Sequence, residues 1–297
     1  HLARPFYLAS HLHGCTPAAI LGFGSSRSPG KMPKDEKALP KRLSAGHKPP
    51  PASAPTAANL FELINSNDAK ELEATLHINK AIDLLATARD AAGNSPVHVA
   101  VLAGHEAVLR ELLDAGAKLW LTKSSEDGTT PLHAAMGPPG GQLQDNRDRC
   151  LDLLLQRGGD DLVNERDTIG QTPVFLAARF GNAHALNLLL ATGHADVDAV
   201  NTSSGMSPLF RACEEGHADC VKILIEAKAD VDLVEPGAGR SPAFVCAQFE
   251  RVECLETLIQ DSDADLHLTN KNGRSPIHIA RALQNVGCAS TLALATL

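Results

Sequence analysis

Aromatic residues are scarce: the 297 residues include eight Phe, one Tyr and one Trp, 3% of the chain. Hydrophobic content is nevertheless 43%, much of it Ala and Leu, a composition that suits thin, stacked helices. Long apolar runs are missing as well. No stretch approaches the ~18 residues needed to cross a bilayer, so no membrane is expected among the partners. There is no H-E-x-x-H, no P-loop and no Ser/His/Asp constellation, and the seven cysteines include no C-x-x-C pair. The chain therefore reads as a non-enzyme, with no cofactor and no metal expected. Positive charge is missing from most of it. Residues 1–58 hold eight Lys/Arg against two Asp/Glu, which leaves 19 against 33 in the remainder, or −14 of the overall −8. An acidic body disfavours nucleic acid and favours a partner with a basic surface.

What is present is one sentence written many times. Between Gly170 and Asp198 the chain reads GQTPVFLAARFGNAHALNLLLATGHADVD. Thr172-Pro173 is a helix start, because a hydroxyl caps free N–H groups and proline at the first helical position forgoes only an N–H without a partner. Gly181-Asn182 breaks that helix, and Ala185, Leu186, Leu189 and Leu190 then fall at the spacing of a second helix with one apolar stripe. The same Ser/Thr-Pro recurs at Pro96, Pro131, Pro173, Pro208, Pro242 and Pro276, at spacings of 35, 42, 35, 34 and 34. The long spacing has a visible cause: after Met136 the chain carries GPPGGQLQDNRDR, predicted to be a loop inserted near residues 137–149 between two helices. Helix pairs this short cannot bury their apolar faces alone, so copies must stack.

SPVHVAVLAGHEAVLRELLDAGA from Ser95 and SPLFRACEEGHADCVKILIEAKADVD from Ser207 resemble the ankyrin repeat. The resemblance implies an all-α repeat solenoid, stacked helix-turn-helix units with β-turn fingers, preceded by a disordered tail. It implies a basic, Pro-rich tail over 1–58, an N-terminal capping unit over 59–89 and an array of about six repeats over 90–297. Either Met32 is the initiator and residues 1–31 are not native, or the true start is missing. In the tail, Lys34, Lys37, Lys41, Arg42 and Lys48 read as an import or docking patch or as a solubilising linker.

Histidines take structural roles in this picture. His98, His133 and His278 sit where the family ties adjacent units by hydrogen bonds, a slot that Phe175, Phe210 and Phe244 fill in the central units. His105 and His217 follow turn glycines. Counted from each repeat proline, Cys150, Cys220, Cys254 and Cys288 share one core slot, roughly 8–10 Å apart in stacked helices and too far to bridge. A reducing compartment, cytoplasmic or nuclear, is expected.

The resemblance places a protein partner on a concave face built from finger tips and the last turn of each first helix. At those positions stand Ile169, Met206 and Arg240 on the tips, with Gln171 beside them, and Arg179, Phe180, Glu214, Glu215, Gln248 and Phe249 on the helices. Phe180 and Phe249 are the expected anchors. Trp120 is either a hot spot or a cover for the inserted loop. The leading expectation is a monomeric scaffold that binds protein. The alternative is the substrate-recognition arm of a larger enzyme or ubiquitin-ligase assembly, since the last unit ends in STLALATL without a polar outer face.

Overall fold

The computed structural model describes residues 56–79, 82–118, 124 and 126–295, all helices and turns without a strand among them. The expectations for residues 1–55 and for Trp120 fall outside these. Three helices come first: α1 (Ala57–Ser66), α2 (Ala69–Asn79) and α3 (Ile82–Thr87). Six pairs follow: α4 (Pro96–Leu102) with α5 (Glu106–Asp114), α6 (Pro131–Ala135) with α7 (Gln142–Gln156), and α8 (Pro173–Phe180) with α9 (Ala183–Ala191). The last three are α10 (Pro208–Glu215) with α11 (Ala218–Glu226), α12 (Pro242–Phe249) with α13 (Val252–Asp261), and α14 (Pro276–Leu283) with α15 (Val286–Ala295).

The first helices pack in one row, from α1 through α4, α6, α8, α10 and α12 to α14, and the second helices pack in a parallel row from α2 to α15. Each unit's core is thus completed by its neighbours. Val97, Leu132, Val174, Leu209, Val245 and Ala280 all lie buried between the rows.

Local chemistry repeats with the units. The hydroxyls of Ser95, Thr172, Ser207 and Ser241 accept the N–H three residues on at 3.1–3.4 Å, each with proline at the first helical position. The fingers close on an acid or amide: Asp167 accepts from the N–H of Ile169 and Gln171, Asn201 from Ser203 and Ser204, and Glu235 from Gly237 and Ala238. Gly181 ends α8 at φ 73°, and a Cβ there would lie 2.5 Å from the His217 ring of the next unit. Only glycine fits that turn.

Two ladders of hydrogen bonds run between units. One uses the helix-opening histidines: His98 Nε2 lies 2.9 Å from the Thr129 carbonyl and His133 Nε2 3.0 Å from that of Gln171. In the following units Phe175, Phe210 and Phe244 occupy the slot and are buried. The other ladder uses the residue that opens the second helix in four of the six pairs. His105 donates to the Ile64 carbonyl, His217 to Arg179, Arg251 to Glu214, and Asn285 to Ala247 and Gln248. These side chains satisfy the carbonyls that a helix C-terminus leaves unpaired.

The insertion is not the loop its prolines and glycines predict. Only residues 137–141 are loop; Gln142 to Arg149 form the first two turns of α7, a helix of 15 residues where its sisters have nine or ten. After Gly140 and Gly141, at φ 94° and 84°, the chain returns to helix, held by i,i+4 contacts from Gln142 to Asn146 and Gln144 to Asp148. In exchange α6 stops after five residues. Gln144 donates to the Ala135 carbonyl that α6 leaves open, and Arg147 reaches back to the Leu102 carbonyl with Nε at 3.0 Å and Nη2 at 2.7 Å. Arg147 thereby fills the second ladder's rung for its unit.

The six described cysteines are free thiols and buried. Burial pushes Cys150 and Cys220 up to about 12. Burial first, and then the nearby Cys213, push the Cys246 thiol well above the usual range, and Cys288 Sγ lies 3.6 Å from the Cys246 carbonyl.

Candidate functional site

The face expected to receive a partner is carried by α8, α10 and α12, which pack side by side, and by the fingers before them. On α8, Phe180 is half-buried and packs against the core, with the Arg179 guanidinium 5.5 Å from its ring centroid. Burial, and then the nearby Arg211, lowers the Arg179 pKa. Ile169, on the tip before α8, is 50% exposed. Gln171 differs from its expected place: it is buried, because its carbonyl takes the His133 hydrogen bond and its N–H closes on Asp167.

On α10 the expected open carboxylates are already engaged. Arg211 pairs with Glu214 through Nη1 and with Glu215 at 3.3 Å through Nη2, so both acids share one guanidinium. Arg211 stands three and four residues before them, the spacing of helical ion pairs, and this was the sequence signal for it. Met206, on the finger, is half-buried against the core.

On α12, Phe249 is 42% exposed in the final turn. Beside it Gln248 accepts a hydrogen bond from Arg240 Nη1 at 3.3 Å. Arg240 also donates from Nε to Glu235 at 3.0 Å and lies 5.4 Å from the centroid of the buried Phe210 ring. Glu235 is 3% exposed, and despite that burial its hydrogen bonds from Arg240 and from the backbone hold its carboxyl below the usual range. Arg240 is therefore clamped in place, a residue the loop sequence EPGAGR does not distinguish from a free tip. The face thus joins two aromatic rings, on α8 and α12, across a belt of paired charges on α10. Among the described residues no group of three or more His, Cys, Asp or Glu is placed to hold a metal, and no helix is long and apolar enough to cross a membrane.

Comparison with known proteins agrees with this architecture. The family model described as ankyrin repeats (3 copies) matches residues 141–235, and the one described as ankyrin repeat matches residues 92–123. Among curated proteins, the target of rapamycin complex 2 subunit AVO2 of Saccharomyces cerevisiae is 32% identical over 90 residues, 30% of this chain and 19% of that protein. The ankyrin repeat-containing protein P1E11.10 of Schizosaccharomyces pombe is 34% identical over 90 residues, 30% of this chain and 38% of that protein. The match thus spans well under half the length of either relative. Among solved structures, the ankyrin repeat domain of Bcl-3, described as a unique member of the IkappaB protein family, superposes with a TM-score of 0.64 at 23% identity. That alignment covers 78% of this chain and 97% of the other. The recurring capped helix pairs and their closing fingers give this chain the ankyrin-repeat fold, with ankyrin repeats matched over residues 92–123 and 141–235.

Proposed function

We propose that the chain is a non-enzymatic scaffold that holds a protein partner on the face formed by the ends of α8, α10 and α12 and the fingers before them. Ankyrin repeats mediate protein–protein interaction, and one relative is by name a subunit of a complex. The observation that carries the reading is Phe249: a large ring 42% exposed at the end of a helix whose other apolar side chains are buried. An aromatic held on a rigid helix and ringed by polar groups is the usual make-up of an interface hot spot. Phe180 and Ile169 extend the apolar contact, while Arg179, Met206, Glu215, Glu214, Arg240 and Gln248 supply its rim. Trp120 is kept as a further candidate anchor. The pairing of Arg211 with both acids means that a basic partner would compete for carboxylates already neutralised in part. Recognition by shape and apolar burial fits this face better than recognition by charge. The chain acts as a monomer in the cytoplasm, the nucleus or both.

The test is capture from lysate with the full 297-residue chain, beside Phe249→Ala and the double variant Phe180→Ala/Phe249→Ala. Proteins retained by the parent and lost from both variants are expected. Phe249→Ala itself should leave stability within about 1 kcal/mol, since the ring is largely outside the core. Equal recovery by parent and variants sinks the reading.

A further inference from the structure

We infer that the insertion in the second unit opens a separate docking groove on the second-helix side, shaped for a short basic protein segment. The groove encloses about 880 Å³ across α5, α7 and α9 and reaches Asp219 in the first turn of α11. Its rim is the Pro139-Gly140 loop, and its floor is Leu153 and the half-buried Leu188. The groove exists because α7 begins about one and a half turns early, so Asp145 projects where the sister second helices have no residue, with Asp148 following at the position where they start.

Charge decides the occupant. Glu106 is neutralised by Arg110 at 2.8 Å, and Asp148 is held by the amides of Gln144 and Asn182. Asp145, Asp152 and Asp219 remain exposed along the groove, where Arg149 is the remaining cation among its lining residues. Such a lining repels phosphate and acidic chains and attracts Lys or Arg, while Leu153 and Leu188 offer contact to an apolar residue between them. From α5 to α11 there are three helix-to-helix steps of ~8–10 Å. At ~3.3 Å per residue an extended segment of about eight residues spans them. None of these residues belongs to the face of Phe180 and Phe249, so the chain would hold two partners, or two parts of one, at once.

The probe is a fluorescein-labelled peptide of about nine residues, Arg alternating with Ala and Leu, titrated with the full chain and read by anisotropy. We expect binding that weakens as salt is raised. Asp145→Lys/Asp152→Lys should weaken it at least about tenfold, as should the single Asp219→Lys, which guards against a folding defect in the first variant. Phe180→Ala/Phe249→Ala should leave it unchanged. Absence of binding overturns the inference. So does an equal loss in Asp261→Lys/Asp263→Lys, which removes exposed acids elsewhere on the array, or a loss confined to the Phe variant.

Discussion

His98 is fully buried, and both ring nitrogens are used. The Thr129 carbonyl can only accept, so Nε2 carries the proton, and Nδ1 accepts from the Ser95 hydroxyl at 2.9 Å. A second proton has no place to go, and burial lowers the pKa from 6.5 to about 4 even though the carbonyl pulls the other way. The consequence has a definite sign. As pH falls below 6.5 the unfolded chain takes up the proton that the folded one refuses, so stability is full above that value and lost progressively down to about 4. Urea unfolding at neutral pH and near the folded pKa should show a loss of up to about 3 kcal/mol in the parent that is absent from His98→Phe. Phenylalanine is the fair comparison, because Phe175, Phe210 and Phe244 already fill this slot. At this scale the sequence was readable where a residue recurs in register: the Ser/Thr caps are legible from the aligned prolines, and the family resemblance implied the ties that His98 and His133 make, while His278 bonds Ser275 of its own unit. It was unreadable where a partner arrives from another turn, as with Glu235, whose clamp on Arg240 no spacing announces. Glu250 at φ 57° and Gln284 at φ 62° likewise take the left-handed turn that glycine fills in sister units, an exchange visible at Gln284 by counting.

The element that departs most from its sisters is α7. Pro138-Pro139-Gly140-Gly141 does interrupt the chain, but the residues that follow return to helix at once, because each long polar side chain finds another one turn on. The Pro-Gly breakers read as a loop running on to Arg149, whereas helix resumes at Gln142. The structure shows an exchange instead, in which α6 loses its last turn and α7 supplies the side chains that close the gap. Arg147 is the joint of this repair. Arg147→Ala should cost about 1.5–3 kcal/mol, the range for hydrogen bonds to a charged group, and leave Leu102 without that donor. Leu189→Ala, a plain core deletion in α9, should cost about 2–5 kcal/mol, with both variants read by thermal unfolding. If Arg147→Ala is neutral, the extension is decoration rather than a structural replacement.

Taken whole, the array has no centre. Among the described residues the main helix contacts join adjacent units, so opening should proceed from an end rather than everywhere at once. On α14 and α15, Leu283, Val286 and Leu294 are exposed at 50%, 70% and 73%. Buried thiols are built-in reporters. Under mild urea, pulsed alkylation read by mass spectrometry should modify Cys288 first, Cys254 next and Cys220 later, and uniform labelling would mean that the array opens as one block. The second ladder also has a direction. His105, Arg147, His217, Arg251 and Asn285 all donate toward a carbonyl in the unit made before their own. A chain emerging from the ribosome therefore presents each newborn unit with its acceptor already in position, so assembly can keep pace with translation, whereas a start from the far end would leave every donor waiting.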